Sequence, residues 1–238
     1  MAICYYITAR AQLGNAWGAE DGAENLEGVL QLKVRDAIAA GVDYIQVREK
    51  DLTAKRLAAL VENLGRMVED SHVRLMVNER LDIAVSCGAD GVHLPSGSLP
   101  LPALRALQEG PLAGPIPVPH YILWGVSCHD ERDVARAAED GATYVLLGPV
   151  FETPSKPGAK PLGLRALKKV CRRYEIPVFA LGGVNAENAE DCIRAGAAGV
   201  AGIRMFQQAA DLGQLCRDLH SLENRRRPAS WWQKHFSC

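Results

Sequence analysis

The loop 148–158 has the residue types of an anion-binding site. It begins where the apolar run Tyr144–Leu147 ends, and its prolines and glycines turn the chain. Within it, Thr153 and Ser155 offer hydroxyl groups, and Lys156 offers a positive charge. Charge-assisted hydrogen bonds from such groups are well suited to a phosphate. We therefore predict that this loop binds a phosphorylated small molecule.

A second loop ends another apolar run with the pair Gly182 and Gly183. Because glycine has no Cβ atom, its backbone can approach a ligand closely. Asn185 follows the pair and is expected to cap the next predicted helix. Backbone N–H groups and the helix dipole attract anions at the start of a helix. This loop is therefore a second candidate for binding phosphate.

Polar side chains also follow most of the other predicted strands. After the second strand, period two places Gln46, Arg48 and Lys50 on one side of the chain, which favours an anion site. The other polar residues at predicted strand ends are Asn78, Glu79, Arg80, His93, Ser98, Ser127 and His129. A single histidine at a strand end is more often structural than catalytic. The sequence contains no nucleophile elbow, zinc-protease motif or Walker loop, so it indicates a site rich in cations and hydroxyl groups.

The elements that must position these residues alternate along the chain. Short runs rich in Val, Ile, Leu and Tyr are separated by amphipathic segments, which is typical of a parallel sheet with crossover helices. The predicted strands are 3–8, 44–47, 74–77, 91–94, 122–126, 144–147, 178–181 and 199–203. The predicted helices are 29–40, 54–69, 81–87, 102–109, 130–140, 164–174, 187–195 and 212–224.

Four of these helices end at a glycine, which can adopt the left-handed conformation that terminates a helix. These glycines are Gly41, Gly88, Gly141 and Gly196. Eight alternating units in a chain of 238 residues close most simply into a barrel. The predicted fold is therefore a single-domain (β/α)8 TIM barrel over residues 1–238, with a core from about 4 to 206 and a C-terminal helix and tail over 207–238.

The composition is that of an ordinary folded protein. Hydrophobic residues make up 48% and charged residues 23% of the chain, which excludes a disordered chain. The net charge of -1 argues against nucleic acid as the main partner, since binding to a phosphate backbone needs a basic face. The basic run 225–227 is expected to be solvated. The expected partners are phosphorylated small molecules.

The cysteines and apolar segments predict a cytoplasmic protein that does not enter a membrane. Seven cysteines are scattered without a CxxC pair, so neither a zinc site nor a disulfide framework is expected. No apolar stretch is long enough to span a bilayer, and the first residues lack the charged start of a signal peptide. The segment 11–28 is predicted to be a long first loop. The tail aromatics Trp231, Trp232 and Phe236 are expected to pack on the barrel base or on a second copy of the chain, as in a homo-oligomer.

Seven segments, in chain order, resemble the motifs of thiamin phosphate synthases and of the related TenI-type thiazole tautomerases. They are Tyr6-Ile-Thr8, Tyr44-Ile-Gln-Val-Arg-Glu-Lys50, Val77-Asn-Glu-Arg-Leu-Asp82, Gly88-Ala-Asp-Gly-Val-His-Leu94, Gly125-Val-Ser-Cys-His129, Gly148-Pro-Val-Phe-Glu-Thr-Pro-Ser-Lys156 and Leu181-Gly-Gly-Val184. The resemblance runs from about Cys4 to Phe206 and implies a TIM barrel. It also implies a transferase of thiamin biosynthesis, which joins hydroxymethylpyrimidine diphosphate to thiazole phosphate and releases pyrophosphate.

The same resemblance implies roles for individual residues. Catalytic contacts would come from Arg48, Lys50, Ser127 and Lys156. Further contacts to the diphosphate and pyrimidine would come from Gln46, Asn78, Thr153 and Ser155. The thiazole phosphate would be held by Gly182, Gly183 and the backbone near Ile203. These roles agree with the anion site inferred from the residues, because departure of a leaving group needs preorganised positive charge.

Two positions depart from the synthase pattern at the implied magnesium ligands. Glu79 and Ser98 stand where synthases usually carry aspartate. Glutamate can still bind a hard cation, whereas serine brings no charge. The resemblance therefore implies Mg2+ as a cofactor, bound at a degenerate metal site.

Further departures leave the reaction open. The segment 94–98 resembles the tautomerase branch, but Pro149 occupies the position of that branch's histidine, and proline cannot transfer a proton. His93 or His129 would then have to carry the proton. Arg204 replaces a small hydroxyl residue and would either clamp a phosphate or obstruct it. Thiamin phosphate synthesis is the leading interpretation, with a thiazole tautomerase and a non-catalytic phosphate-binding barrel as alternatives.

Overall fold

The eight apolar runs form β-strands that pair in chain order into a closed parallel barrel. A computed structural model of the chain describes residues 1–13, 26–109, 122–155 and 157–224. The strands are β1 (Ile3–Ile7), β2 (Tyr44–Val47), β3 (Arg74–Asn78), β4 (Gly91–Leu94), β5 (Leu123–Cys128), β6 (Tyr144–Leu147), β7 (Val178–Leu181) and β8 (Gly199–Gly202). The predicted (β/α)8 TIM barrel is confirmed.

Helices connect the successive strands around the outside of the barrel. They are α1 (Leu26–Ala40), α2 (Ala54–Val68), α3 (Leu81–Ser86), α4 (Leu101–Glu109), α5 (Glu131–Glu139), α6 (Gly163–Arg173), α7 (Ala189–Ala195), α8 (Arg204–Gln207) and α9 (Leu212–Ser221). Helix α8 was not predicted, because four residues are too few to show a helical period. Among the described residues, no helix combines the length and the apolar composition that crossing a bilayer requires.

The predicted first loop 11–28 is shorter than expected at both ends. A 3₁₀ turn occupies Arg10–Gln12, and α1 begins at Leu26. Residues 14–25 of that loop lie outside the described residues. Lys156 and the chain from 225 onward, including the tail aromatics, also lie outside them.

Parallel pairing brings the carboxyl ends of all eight strands to one end of the barrel. In the register of the sheet, Asn78 of β3 stands beside His93 of β4. Ser127 of β5 stands beside Leu146 of β6. Polar residues that are far apart in the sequence therefore meet at the same level of the barrel.

Glycines end the helices as the sequence predicts. Gly196, with a φ of 113°, follows α7, and its N–H donates to the carbonyls of Cys192 and Ile193. The other predicted capping glycines that have a positive φ are Gly41, Gly88 and Gly141. These turns lead the chain from each helix into the next strand. They set where the strand begins, and therefore where its polar carboxyl end lies along the barrel axis.

Aromatic side chains fill the inside of the barrel below its carboxyl end. Tyr5, Tyr44, Tyr144 and Phe179 are buried, and their ring centroids lie 5.2–5.8 Å apart. The hydroxyl groups of Tyr5 and Tyr144 are hydrogen-bonded to each other at 2.8 Å. This aromatic layer separates the two ends of the barrel, so a ligand site must lie above it, among the strand ends and loops.

Candidate active site

The carboxyl ends of the strands surround a cavity of about 550 Å³, a size that suits a small-molecule ligand. The structure brings eleven of the predicted site residues to its wall. These are Gln46, Arg48, Lys50, Asn78, Ser127, Thr153, Ser155, Gly182, Gly183, Ile203 and Arg204. His93 and His129 also line the cavity. Glu79 and Ser98 are not among the described residues that line it, and Lys156 lies outside the described residues.

Two buried amides form one part of the wall. Gln46 is 1% exposed, and its Nε2 donates to Oδ1 of Asn78 at 3.0 Å. This bond fixes which end of the Gln46 amide is the acceptor. Gln46 Oε1 is buried and has no hydrogen-bond partner among the described residues. A buried acceptor without a partner is costly, so this atom suits a ligand that brings an N–H donor.

A buried network supports the segment after β2 from which Arg48 and Lys50 reach the cavity wall. Between them, Glu49 points away from the cavity, and its carboxylate accepts hydrogen bonds from Thr8 Oγ1 at 2.6 Å and Arg10 Nη1 at 3.0 Å. The Arg48 backbone N–H donates to Thr8 Oγ1 at 3.0 Å. The alternation along β2 therefore presents two cations to the ligand and buries the intervening acid against a third cation.

Arg10 extends this network to the protein surface. It donates two hydrogen bonds to the Asp51 carboxylate, both at 2.7 Å. These bonds, together with those to Glu49, raise the pKa of Arg10, and the Arg10 contact lowers the pKa of Asp51. This support was not predicted, because Thr8 and Arg10 reach the end of β2 only through the pairing of β1 with β2.

His93 is a neutral partner of Ser127. Its Nε2 lies 2.8 Å from Ser127 Oγ, and its ring stacks on Tyr144 with the centroids 6.0 Å apart. Burial, followed by the nearby charge of Arg48, lowers the pKa of His93 to about 3. At neutral pH the imidazole therefore orients the Ser127 hydroxyl and carries no positive charge.

His129 supports the loop that follows β6. Its Nδ1 lies 2.6 Å from the carbonyl oxygen of Gly148. Because a carbonyl can only accept, Nδ1 is the protonated nitrogen of this ring. The backbone N–H of His129 donates to Asp133 at 2.8 Å. His129 thus fixes the start of the predicted anion-binding loop.

The glycine pair after β7 lines the cavity in a different way from the one predicted. Gly182 and Gly183 have φ values of 88° and 68°, which disfavour other residues. A Cβ atom on Gly182 would lie 2.7 Å from Pro149, and one on Gly183 would lie 2.7 Å from Phe151 Cβ and would also meet the backbone of Glu152. The space left by the missing Cβ atoms is therefore filled by the β6–α6 loop. These glycines are needed for loop packing, whatever ligand their amides contact.

Two asparagines shape the turn after the glycine pair. Asn188 Nδ2 donates to the Gly183 carbonyl at 3.0 Å. Asn185 Oδ1 accepts from the N–H groups of Glu187 and Asn188 at 3.0 Å. The Asn185 carbonyl also accepts from the Ala189 N–H at 3.0 Å, so Asn185 makes capping contacts in the turn that leads into α7, which begins at Ala189. Sequence reasoning missed Asn188, which anchors the Gly183 loop.

Ile203 and Arg204 border the same part of the cavity as the glycine pair. Strand β7 pairs with β8 with Leu181 beside Ala201, so the loops that follow these strands are neighbours. Arg204 begins α8 and is exposed. Its guanidinium group is thus offered at the rim of the cavity, beside the predicted phosphate loop.

The two predicted magnesium positions do not contribute to the described cavity wall. Glu79 is exposed and has a φ of 67°, and Ser98 Oγ is buried without a hydrogen-bond partner among the described residues. Mg2+ prefers hard, charged oxygen ligands. None of the described residues that line the cavity carries a carboxylate. This wall therefore does not fit a Mg2+ ion held by protein carboxylates.

The sequence and the fold are similar to those of thiamine-phosphate synthases. Residues 21–206 match the family model described as thiamine monophosphate synthase. A thiamine-phosphate synthase of Roseiflexus sp. is 40% identical over 221 residues, covering 92% of this chain and 84% of the relative. One of Moorella thermoacetica is 37% identical over 195 residues, covering 82% and 88%. The structure of thiamine phosphate pyrophosphorylase from Pyrococcus furiosus matches with a TM-score of 0.73 at 25% identity, covering 92% of this chain and 94% of that one.

Proposed function

The chain belongs to the thiamine monophosphate synthase family, and we propose that it joins hydroxymethylpyrimidine diphosphate to thiazole phosphate and releases pyrophosphate. The observation that carries this proposal is the set of cations and hydroxyl groups at one end of the barrel, with no carboxylate among the described lining residues. Such a wall suits two phosphorylated substrates and a leaving diphosphate.

Bond cleavage is the step in which this wall acts. The bond between the pyrimidine methylene carbon and the diphosphate oxygen breaks, and its electron pair leaves with the diphosphate. Arg48 and Lys50, with the hydroxyl groups of Ser127, Thr153 and Ser155, stabilise the negative charge that develops there. We assign Lys156 to the same role. Arg48 can stabilise the negative charge on the leaving diphosphate without moving its backbone, because the Thr8–Glu49 network already fixes that backbone.

Bond formation then needs no protein nucleophile. The thiazole nitrogen donates its lone pair to the methylene carbon and becomes a thiazolium, so no proton has to be removed. Gln46 Oε1 accepts a hydrogen bond from the exocyclic amine of the pyrimidine and holds the ring in place. The amides near Gly182, Gly183 and Ile203 bind the thiazole phosphate, and Arg204 clamps it from the rim.

Neither a protein-bound metal nor a proton carrier has a step in this mechanism. The described lining does not fit Mg2+ held by carboxylates. Mg2+ is therefore added in the assay only as the counterion of the diphosphate substrate. The tautomerase alternative is not favoured: His93 is neutral at physiological pH and is engaged with Ser127, and Pro149 cannot carry a proton.

The test is formation of thiamin phosphate by the purified protein from the two substrates. We expect Arg48→Ala to lower kcat/KM by roughly 10- to 100-fold, because a hydrogen bond to a charged group contributes about 1.5–3 kcal/mol. Arg35→Ala is the matched control, since Arg35 is exposed on α1 and does not line the cavity. No product from wild-type protein, or equal losses in the two variants, would overturn the proposal.

A further inference from the structure

A cluster of metal-ligating side chains lies at the opposite end of the barrel from the cavity. Cys4 of β1, Asp43 just before β2 and His220 of α9 place a sulfur, a carboxylate oxygen and a ring nitrogen within 4.8 Å of one another. Cys4 and Asp43 are buried, and the His220 side chain is 23% exposed. The cluster therefore has a buried floor and one side open to solvent.

A second cysteine lies beside this three-residue cluster. Cys216 lies four residues before His220 on α9, so the two side chains share one face of the helix. Cys216 is buried, and its thiol interacts electrostatically with that of Cys4. The Cys4 sulfur, the Asp43 carboxylate and the His220 imidazole thus form the cluster, and the Cys216 sulfur is available next to Cys4 as a fourth ligand.

The framework of this cluster is already formed by hydrogen bonds. Asp43 accepts from the Cys4 backbone N–H at 2.7 Å through Oδ2, and the same oxygen lies 2.9 Å from His220 Nε2. The Asp43 N–H donates to the Cys4 carbonyl at 3.0 Å.

We propose that Cys4, Asp43, Cys216 and His220 bind a thiophilic divalent metal ion, with Zn2+ as the best match to the ligand types. On binding, both thiols lose their protons to solvent and four metal–ligand bonds form. In a tetrahedral zinc site the ligand atoms stand about 3.3–3.8 Å apart, so the ligand atoms of Cys4, Asp43 and His220, now within 4.8 Å of one another, have to approach by up to about 1 Å. His220, at the last turn of α9, is the residue free to make that movement.

The proposed ion would act on stability and not on the reaction. It would join α9 to β1 and to the start of β2, at the end of the barrel that carries structural residues in this fold. The sequence predicted no zinc site, because the cysteines lack a CxxC pair. The ligands at positions 4, 43, 216 and 220 become neighbours only when the barrel closes.

The test is titration of reduced, chelator-treated protein with Co2+ as a spectroscopic probe for the metal. We expect one equivalent to bind, a thiolate-to-cobalt charge-transfer band with the strong visible bands of tetrahedral cobalt, displacement by Zn2+ and a rise in melting temperature. Comparison with a Cys4→Ser variant assigns the band to this site.

Two ligand variants and one control decide the result. His220→Ala should weaken Co2+ binding by at least about tenfold, and Cys4→Ser should reduce the charge-transfer band. His72→Ala, which removes an exposed histidine away from the cluster, should bind as wild type does. Absence of the charge-transfer band in wild-type protein, or unchanged affinity in His220→Ala, would refute the site. If Cys4→Ser does not fold, the His220→Ala titration alone decides.

Discussion

His93 lies deep enough in the barrel to stay neutral at pH values where an exposed histidine is half charged. Its pKa of about 3 has burial as the first cause and the charge of Arg48 as the second. The two partners of this hydrogen bond therefore have different roles. Ser127 faces the cavity, and His93 orients the Ser127 hydroxyl group. A residue type often chosen as a proton carrier is here a fixed support.

The same burial predicts how stability depends on pH. The folded pKa of His93 lies below its unfolded value of 6.5, so the stability from the neutral imidazole is complete above pH 6.5 and is lost as pH falls toward 3. Between pH 7 and pH 5, protonation of the unfolded chain should lower the free energy of unfolding by about 2 kcal/mol. Urea unfolding of wild type and His93→Gln at both pH values measures this difference.

The glutamine variant should lose less stability over that interval, because it keeps a hydrogen-bonding side chain without the titration. His72→Gln serves as its partner control, since it replaces an exposed histidine in place of a buried one. Identical pH dependence in wild type and His93→Gln would show that His93 is already protonated, or accessible to water, in the folded protein.

At the scale of elements, the end of β2 is held by β1. Thr8 follows β1, and its hydroxyl group joins the Glu49 carboxylate to the Arg48 backbone. Thr8→Val keeps the shape but leaves both groups without that partner, so we expect a loss of about 1–3 kcal/mol in stability. Displacement of Arg48 should also lower kcat/KM by roughly tenfold. Thermal unfolding and steady-state kinetics measure the two effects.

Thr143→Val is the matched comparison for that variant. The Thr143 hydroxyl accepts from the Trp124 backbone N–H at 3.0 Å, at the far end of the barrel from the cavity. Thr143→Val should destabilise the protein in a similar way, by leaving a backbone N–H without its acceptor, while kcat/KM stays unchanged. If both variants lose activity in proportion to stability, Thr8 is structural only and does not position Arg48.

The strands could be predicted from the sequence, and most of the site with them. Apolar runs such as Tyr144–Leu147 are local signals, and four strands have the predicted bounds. Because parallel strands end at one face, the predicted polar residues met around one cavity. Their individual roles stay predictions. The family resemblance, carried by ordered motifs, is confirmed by the family match.

What the sequence did not show depends on contacts between distant segments. Thr8 and Glu49 are 41 positions apart, and their bond forms only when β1 and β2 are paired. The glycine pair after β7 was interpreted as space for a ligand, but the β6–α6 loop fills that space. Helix α8 has too few residues for a period to be recognised.

At the scale of the whole molecule, the two ends of the barrel have different tasks. The carboxyl end holds the cations of the cavity wall, whereas the amino end holds contacts that tie helices to strands. Asn224 is one of these, since its buried Nδ2 donates to the carbonyls of Gly196 and Ala197 at 3.1 and 3.0 Å. This joins the segment after α9 to the turn before β8.

Asn224→Ala should therefore lower the free energy of unfolding by about 1–3 kcal/mol, since two buried carbonyls lose a donor. The substitution should not change KM or kcat, because Asn224 does not line the cavity. Denaturant unfolding and kinetics on the same preparation test both statements. Asn63→Ala on α2 is the control and should stay within about 0.5 kcal/mol of wild type. A raised KM in Asn224→Ala would contradict this separation of the two ends.

The aromatic layer beneath the cavity has a consequence for the yield of the proposed reaction. A pyrimidine cation formed above it can be captured by water as easily as by the thiazole unless water is kept away. Tyr5 and Tyr144 turn their hydroxyl groups toward each other, so the layer below the reacting carbon is built of rings and their edges. Water therefore cannot reach the cation from the aromatic side, which favours capture by the thiazole nitrogen. The fraction of hydroxymethylpyrimidine diphosphate that is converted to the pyrimidine alcohol, and not to thiamin phosphate, measures how well this layer excludes water.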